Sequence, residues 1–440
     1  MRLTLPTLAL LGSSLLAGCD GNEGRTDPPN TSIQVIHAAP SIGPVTFKRV
    51  QVDATPLDFT QGATFSWDVD TYTLNFEILD VDGTVAQTVT TQVTLVEDMA
   101  YFLVLREVGS QPDPVLIERP ATIQGMGSEI EILHAATTLN AVDVYIDVDN
   151  FDLTMAASRG TIDFDGLLSI PALADGTYEI VLTDAGNQAN VRLDSEPISV
   201  AGTQGLFLVI VDGAGVGLSP LALAVGDANG TTIADRNSQS GIRVINSLSD
   251  REAINVGIDG QLMPPLITDL AFATDSAFEL IASGDHDLNV EATLTPGTLE
   301  IDEPIEADVA RFATWLITGS TGSMTATEFE DDFRVIPGES KLRLFNGATQ
   351  NGVGVVNVFV VEPGTDITTV PPTFSSLSET PTQNIRVAPD DYEITVIEQA
   401  TGAVLAGPIA ATVAADGYYG ILLTDAAAGT GTEVVLLFDF

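Results

Sequence analysis

The sequence predicts an all-β protein in which antiparallel β-sandwich domains follow one another along the chain, and three observations predict it. Short alternating or continuous apolar runs, bounded by Gly, Pro, Asp and Asn, recur about every ten residues, which is typical of antiparallel strands. Four segments of the chain begin alike. Hydrophobic residues make up 45% of the 440 positions and charged residues only 18%, so the chain can bury cores.

Residues 1–18 have the pattern of a removed export signal. Arg2 is followed by an apolar run that ends at Leu16 and is too short to span a bilayer as a helix. The segment LAGC ending at Cys19 resembles the lipobox of bacterial lipoproteins, which implies that Cys19 is acylated and becomes the mature N-terminus. The alternative is an ordinary secretory signal with an incidental cysteine. Residues 19–31 then form the acylated cysteine and a flexible polar tether.

The four similar segments are SIQVIHAAP, EIEILHAAT, GIRVINSLS and SKLRLFNGA. In each segment the apolar pattern ends at a polar residue, and these residues are His37, His134, Asn246 and Asn346. They are separated by 97, 112 and 100 positions. Because His and Asn alternate there, we interpret the side chain as a structural group that hydrogen-bonds the following turn. The interval is that of a domain, which predicts four repeats at 32–120, 128–235, 241–333 and 340–440, each about the size of an immunoglobulin-like sandwich of roughly 100 residues.

An aromatic position also recurs after an acidic or glycine-containing turn in each repeat. It is occupied by Tyr72, Tyr178, His286 and Tyr392. The pattern resembles a tyrosine corner, in which the hydroxyl ties a strand to an upstream backbone group, and it predicts a structural role for all four side chains.

The openings VIHAAP and ILHAAT, the segment VDVYIDVDN and the later DGTY strand resemble the bacterial domain of unknown function 4397. The second repeat, about 128–235, fits this pattern best, and the third and fourth depart from it by replacing histidine with asparagine. The resemblance implies β-sandwiches in tandem within secreted proteins and lipoproteins. It implies no activity, since that family has no established one.

The net charge of −45 comes from 61 acidic and only 16 basic residues. Lysine occurs only at Lys48 and Lys341, so no basic patch is available and nucleic acid is excluded as a partner. Two interpretations of the charge are solubility in a salty external medium and attraction of divalent cations. We favour the first.

Acidic side chains offer weak candidates for a metal site. Asp143, Asp147 and Asp149 share one face of a predicted strand by period-two alternation. They do not match an EF-hand loop, so we expect a solvated strand face and neither a metal nor a cofactor. The glycine cluster GAGVG lacks the last glycine of a dinucleotide loop and is interpreted as a hairpin connection.

Catalytic signatures such as G-x-S-x-G and H-E-x-x-H are absent from the sequence, so we expect no enzyme. The predicted function is a non-catalytic binding, adhesion or structural module, exported and anchored in the bacterial envelope, on the periplasmic leaflet or the cell surface, by lipid on Cys19. Envelope proteins or glycans are the expected partners. The alternatives are a surface array stabilised by calcium or another divalent cation, and a carboxylate-dependent enzyme acting on glycans.

Overall fold

The computed structural model of the chain describes residues 29–49, 52–53, 56–122, 127–148, 150–202, 205–213, 218–226, 229–348, 355–377, 384–426 and 432–439. The protein is all-β, with eight sheets and one short 3-10 turn at Leu153–Met155 in this part of the chain. The sheets pack in four pairs, which we name sandwiches 1 to 4 in chain order. The domain boundaries given above stay predictions.

Sandwich 1 pairs the sheet β4-β1-β7-β8 with the sheet β3-β2-β5-β6. Its strands are β1 Asn30–His37, β2 Val45–Arg49, β3 Val52–Asp53, β4 Gly62–Asp68, β5 Thr71–Leu79, β6 Val85–Thr94, β7 Met99–Val108 and β8 Gln111–Pro120.

Sandwich 2 pairs the sheet β12-β9-β16-β17-β18 with the sheet β11-β10-β13-β14, in which β15 also joins β13. Its strands are β9 Ser128–His134, β10 Val142–Val148, β11 Gly160–Ile162, β12 Leu167–Leu173, β13 Gly176–Asp184, β14 Asn187–Asp194, β15 Ile198–Val200, β16 Gly205–Asp212, β17 Leu221–Ala224 and β18 Thr232–Ile233.

Sandwich 3 pairs the sheet β22-β19-β26-β27, in which β23 also joins β19, with the sheet β21-β20-β24-β25. Its strands are β19 Ser240–Asn246, β20 Ile254–Ile258, β21 Ile267–Leu270, β22 Thr274–Asp275, β23 Glu279–Ile281, β24 Gly284–Ala292, β25 Leu299–Ala307, β26 Phe312–Ser320 and β27 Ser323–Asp331.

Sandwich 4 pairs the sheet β31-β28-β34-β35 with the sheet β30-β29-β32-β33. Its strands are β28 Ser340–Asn346, β29 Val356–Val361, β30 Phe374–Leu377, β31 Ile385–Val387, β32 Asp390–Glu398, β33 Val404–Val413, β34 Tyr418–Asp425 and β35 Thr432–Asp439.

One strand pair in each sandwich departs from the antiparallel pattern that the sequence predicts throughout. The first strand runs parallel to a strand far downstream, and these pairs are β1 with β7, β9 with β16, β19 with β26 and β28 with β34. Its other edge pairs antiparallel. The two strands of a parallel pair are separated by several other strands, so no short hairpin forces them to run in opposite directions.

The first strand of each sandwich is buried on both faces. In β1, Ile33 and Val35 face the core of sandwich 1, whereas Ile36 belongs to a separate apolar cluster shared with sandwich 2. Leu133 occupies the equivalent place in sandwich 2, and Ile245 and Phe345 do so in a second shared cluster between sandwiches 3 and 4. The four sandwiches therefore pack face to face as two pairs, and full burial of each such side chain contributes about 1.5–3 kcal/mol.

Close backbone approach accompanies the pairing of sandwiches 1 and 2. A Cβ atom on Gly62 would lie 2.2 Å from the carbonyl oxygen of Gly226, so only glycine fits at that contact. Nearby, the rings of Phe102 and Phe207 stack with centroids 4.1 Å apart. The interface thus has the tight packing of a protein core.

Two arginines join the C-terminal part of the chain to sandwich 1. Arg334, in the connection between sandwiches 3 and 4, donates to the carbonyl of Ile42 at 2.9 Å and pairs with Asp58. Arg386 donates to the carbonyl of Asp80 at 2.6 Å. These bonds hold the two pairs of sandwiches together in one body.

Candidate functional site

The two histidines that end the first strands of sandwiches 1 and 2 bond the turn that follows. Nε2 of His37 donates to the carbonyl of Gly43 at 3.1 Å, and the Ala39 N–H donates to Nδ1 at 3.3 Å. Nε2 of His134 donates to the carbonyl of Asn140 at 3.1 Å. Both imidazoles are buried, and both donate to a carbonyl six residues downstream.

Asn246 makes the same two turn bonds as His37, and Asn346 makes the second of them. Nδ2 of Asn246 donates to the carbonyl of Glu252 at 2.8 Å, six residues downstream, and Oδ1 accepts from the Leu248 N–H at 3.0 Å, two residues downstream. Oδ1 of Asn346 accepts from the Ala348 N–H at 3.4 Å. An amide can replace an imidazole here because both place a donor and an acceptor toward one loop.

The environment of His37 keeps its imidazole neutral. Burial, followed by the positive charge of Arg334, lowers its pKa from 6.5 to about 4. Burial also lowers the pKa of His134. A neutral ring whose two nitrogens both bond the backbone, as in His37, is occupied by its structural partners and does not present a free base or metal ligand.

The recurring aromatic position ties each strand to the carbonyl four residues upstream. The hydroxyl groups donate at 2.8 Å from Tyr72 to Asp68, at 3.0 Å from Tyr178 to Ala174 and at 2.8 Å from Tyr392 to Ala388. In sandwich 3 the imidazole takes over, and Nε2 of His286 donates to the carbonyl of Ala282 at 2.8 Å.

His286 differs from the tyrosines because its second nitrogen contacts a carboxylate. Nδ1 lies 2.8 Å from Oδ2 of Asp259. This hydrogen bond raises the pKa of His286 above its ordinary value. The Asp287 N–H, followed by the contact with His286, lowers the pKa of Asp259. Sandwich 3 therefore carries a histidine–aspartate hydrogen bond where the other three sandwiches carry a tyrosine.

Of the three aspartates considered as weak metal ligands, the structure describes two, and their surroundings differ. Asp143 is only 9% exposed, accepts from the Thr161 hydroxyl and accepts from the Gly186 N–H at 2.8 Å. The expectation of a solvated face is wrong for this residue, because the adjacent strand and hairpin cover it. Asp147 is exposed, and Asp149 lies outside the described residues, as Cys19 does. No cluster of three or more metal-ligating side chains occurs in the described part of the chain.

The glycine cluster GAGVG lies between β16 and β17, which pair antiparallel. The Gly213 N–H donates to the carbonyl of Pro220 at 2.9 Å and closes the ends of that connection. Positions 214–217 themselves lie outside the described residues.

A buried charged cluster that the sequence analysis did not identify lies between sandwiches 3 and 4. Asp331 has a fully buried side chain, and Oδ1 accepts from Nη1 of Arg343 at 2.8 Å and from the Tyr418 hydroxyl at 2.9 Å. Arg243 Nη2 lies 4.0 Å from Oδ2 of the same carboxylate, and both that nitrogen and Nε donate to the Thr314 hydroxyl at 3.0 Å. Burial and the charge of Asp331 raise the pKa of Tyr418.

The equivalent positions between sandwiches 1 and 2 carry a smaller polar cluster. Nη1 of Arg119 lies 3.2 Å from Oε2 of Glu131, and the guanidinium lies over the ring of Phe102 at 4.9 Å. Gln34 donates from Nε2 to the carbonyl of Gly226 at 2.7 Å. Burial raises the pKa of Glu131 although Arg119 opposes that shift.

A repeated sequence signal corresponds to these clusters. The residue three positions before the terminal His or Asn is polar in every copy, in the order Gln34, Glu131, Arg243 and Arg343. In a half-exposed strand such residues would face water. Glu131, Arg243 and Arg343 are buried here, and Gln34 is half-buried, because the sandwiches pack face to face. Buried polar groups and charges require partners.

A central cavity of about 430 Å³ lies where sandwiches 1, 2 and 3 meet the connection to sandwich 4. Its walls include three carboxylates, each in contact with a cation: Asp58 with Arg334, Glu330 with Arg311, and Asp332 with Lys341. Arg334 holds the pKa of Asp58 low, against the effect of burial. The carboxylates of these pairs remain partly exposed to the cavity and solvent, so the pairs line the cavity wall and are not buried in a core.

The fold defines the class of this protein as a multi-sandwich all-β protein with immunoglobulin-like domains. Residues 240–359 match the family described as "Domain of unknown function (DUF4397)". The match begins at the first strand of sandwich 3 and extends into β29 of sandwich 4, whereas the sequence analysis placed the best fit at the second repeat. The family resemblance is confirmed over that range, and the family description states no activity.

Comparisons with whole proteins give weak similarities. A comparison with curated proteins finds no match. Among solved structures, the Bacillus anthracis TIE protein is 8% identical, with 87% of this chain and 66% of that chain covered and a TM-score of 0.16.

Two further solved structures are similar at the same low level. A family CBM26 module, CBMbc from Eubacterium rectale Amy13K in complex with maltoheptaose, is 14% identical. The match covers 45% of this chain and 96% of that module, with a TM-score of 0.17. A streptococcal ancillary pilin is 10% identical. The match covers 63% of this chain and 95% of the pilin, with a TM-score of 0.15. TM-scores and sequence identities this low carry no argument about function. Within the described residues, no helix is long and apolar enough to cross a membrane.

Proposed function

We propose that this chain is an exported, lipid-anchored protein of the bacterial envelope whose four sandwiches form a non-catalytic binding module. The observation that carries the proposal is the face-to-face packing of the sandwiches. It buries the second face of the first strands and the charged clusters between the sandwiches, while the repeated His and Asn side chains bond the turns of their own sandwich. Contact with partners is then left to the outer sheets, the strand edges and the loops.

The outer sheets differ in charge from one sandwich to another. On sandwich 3, exposed acids lie opposite each other, since Asp285 pairs with Glu306 across β24 and β25. On sandwich 1 the equivalent face carries exposed hydroxyl and amide groups, among them Thr71, Thr73 and Gln92. A neutral, hydrogen-bonding face on so acidic a protein suits uncharged partners, such as neutral glycans or extended peptides.

Lipid attachment rests on the LAGC segment at residues 16–19. Metabolic labelling with a radioactive fatty acid should mark the wild-type chain and leave Cys19→Ala unlabelled. The variant should also be released from the membrane fraction, because the acyl chains supply the anchor. Equal labelling of the two chains would contradict lipid attachment at Cys19.

Location and mode of action are tested by digestion of intact cells with proteinase K, followed by immunoblotting for the four-sandwich body. Trypsin is unsuitable because the chain has only 16 Lys and Arg residues. Loss of the body in intact cells would place the contact surface outside the cell and direct the partner screen to glycans and neighbouring cells. Protection that ends when the cells are permeabilised would place it in the periplasm, with envelope proteins as partners. Digestion only after complete lysis would overturn export.

A further inference from the structure

The strand β6 forms an unprotected edge of sandwich 1. It is the last strand of the sheet β3-β2-β5-β6, and it pairs with β5 along its whole length with one register shift near its start. Its ten residues, VAQTVTTQVT, contain no charged residue, no proline and no glycine. Long, uncharged edges of this kind are templates for another strand.

One hydrogen bond at the end of the β5–β6 pair shows which backbone groups of β6 point outward from the sheet edge. The Leu95 N–H donates to the carbonyl of Asp70 at 2.8 Å, so this pair is a hydrogen-bonded one in the antiparallel ladder. Because hydrogen-bonded and non-hydrogen-bonded pairs alternate, the N–H and C=O groups of alternate residues point away from β5. These residues are Thr88, Thr90, Gln92 and Thr94, all exposed, and no strand of the described residues pairs with them.

The equivalent edges of the other three sandwiches are protected. In sandwich 3, β25 carries Asp302, Glu303 and Glu306, and Pro304 stands at the place of Gln92. In sandwich 4, β33 contains Pro408 and its pairing with β32 shifts register twice. In sandwich 2 the edge is divided between β14 and β15, with Pro197 between them. Charges, prolines and irregular pairing are the usual means of blocking strand addition. β6 has no charge and no proline, and its one register shift lies near its start, before Thr88.

We propose that two copies of this chain associate by pairing β6 with β6 in antiparallel orientation, which joins the two sheets into one. A two-fold axis places each strand opposite its own copy, so a charged edge would face like charges. β6 avoids this repulsion because it has no charged residue. The contact is also made by an uncharged strand, on a body whose net charge is −45.

The remaining repulsion makes the dimer dependent on salt. Salt shortens the range of charge repulsion to about 10 Å at 0.1 M, so added NaCl should strengthen association. A pair of single strands buries less than the roughly 1,000 Å² of a stable interface, so the dimer should be weak and concentration-dependent.

Sedimentation velocity of the full chain carrying Cys19→Ser tests the proposal, since this change removes any association through a lipid or disulfide. We expect a monomer–dimer equilibrium between about 5 and 500 µM that shifts toward dimer when NaCl rises from about 0.05 to 0.5 M. Gln92→Pro removes one outward N–H but no bond to β5, and sandwich 3 tolerates proline at this place. It should weaken dimerisation about tenfold or more, with an unchanged melting temperature.

The matched control is Gln92→Thr, which keeps the outward N–H and should dimerise as the parent chain does. A parent chain that stays monomeric at high protein and salt concentration would overturn the proposal, as would equal dimerisation of the Gln92→Pro variant. A dimer that appears only after removal of residues 1–28 would show that the chain's own N-terminal segment covers the edge, and would also overturn it.

Discussion

Arg343 donates from Nη1 to Oδ1 of Asp331 at 2.8 Å, and neither side chain has significant contact with solvent. The two residues come from different sandwiches, so this ion pair joins β27 of sandwich 3 to β28 of sandwich 4. It also fixes which faces meet, because an unpaired charge at this depth would be costly.

Replacement of Asp331 by alanine should therefore destabilise sandwiches 3 and 4 strongly. The change removes from buried Arg343 the carboxylate at 2.8 Å and from buried Arg243 one of its two nearby carboxylates, the other being Asp275 at 3.7 Å. Loss of one partner of a buried pair costs about 3–5 kcal/mol. Denaturant unfolding should show the loss. The control is Arg192→Ala, which breaks a solvent-exposed pair with Asp184 and should change the stability far less, because water screens the pair. Similar losses in the two variants would contradict a special role for the buried cluster.

The substitution Phe207→Ala should weaken the packing between sandwiches 1 and 2. The substitution removes the ring that stacks on Phe102 and leaves a cavity in the shared cluster, which costs about 3–5 kcal/mol. Amide hydrogen exchange in β1 and β9 should accelerate as the interface opens. Met155→Ala, at a side chain that is 83% exposed, is the control and should leave exchange unchanged. Unaltered exchange in Phe207→Ala would show that the pairing does not depend on the stack.

His286 should stabilise the protein at mildly acidic pH. Its folded-state pKa lies above the unfolded value of about 6.5, so its contribution is fully present below that pH and is lost as pH rises through the folded-state pKa. His286→Tyr introduces the residue found at the other three corners and should abolish this contribution while the bond to Ala282 persists. Melting temperatures of the two chains between about pH 5 and 9 measure the difference. Parallel pH profiles would count against the ion pair with Asp259.

His37 should have the opposite pH dependence. Its pKa is about 4 in the folded chain, so the unfolded chain binds the extra proton between that pH and about 6.5. The stabilisation is fully present above about pH 6.5 and declines by up to about 3 kcal/mol as pH falls toward 4. His37→Asn should remove this acid sensitivity, because Asn246 makes the same two turn bonds in sandwich 3. The check is denaturant unfolding at about pH 4.5 and 7.5, and unchanged acid sensitivity would refute the role of His37.

Local features of the sandwiches could be predicted from the sequence because they depend on short-range patterns. The alternation in SIQVIHAAP predicts a strand with Ile33 and Val35 on one face, and the structure places both in the core of sandwich 1. The recurring position of Tyr72 predicts a corner, and its hydroxyl bonds the carbonyl of Asp68. Such bonds join residues four positions apart, so the sequence alone shows which residues are available to make them.

The assignment of Asp143 to a solvated face failed for a physical reason. Alternation shows which side chains share a face but not what covers that face. In the structure Thr161 and Gly186, from two different hairpins, bond its carboxylate. The parallel pairing of the first strands was missed for the same reason, since the partner strand lies far along the chain.

The sequence by itself determined that this protein is all-β, repeats at intervals of roughly 100 residues, matches domain of unknown function 4397 in part of its length and is strongly acidic. Only the tertiary structure decided that the sandwiches pack face to face, that Glu131, Arg243 and Arg343 lie inside, and that β6 remains an open edge. The reason is that strand formation and corner bonds depend on neighbours in the chain. Burial of a second face depends on contacts between residues as far apart as Ile36 and Phe207, which no local pattern specifies.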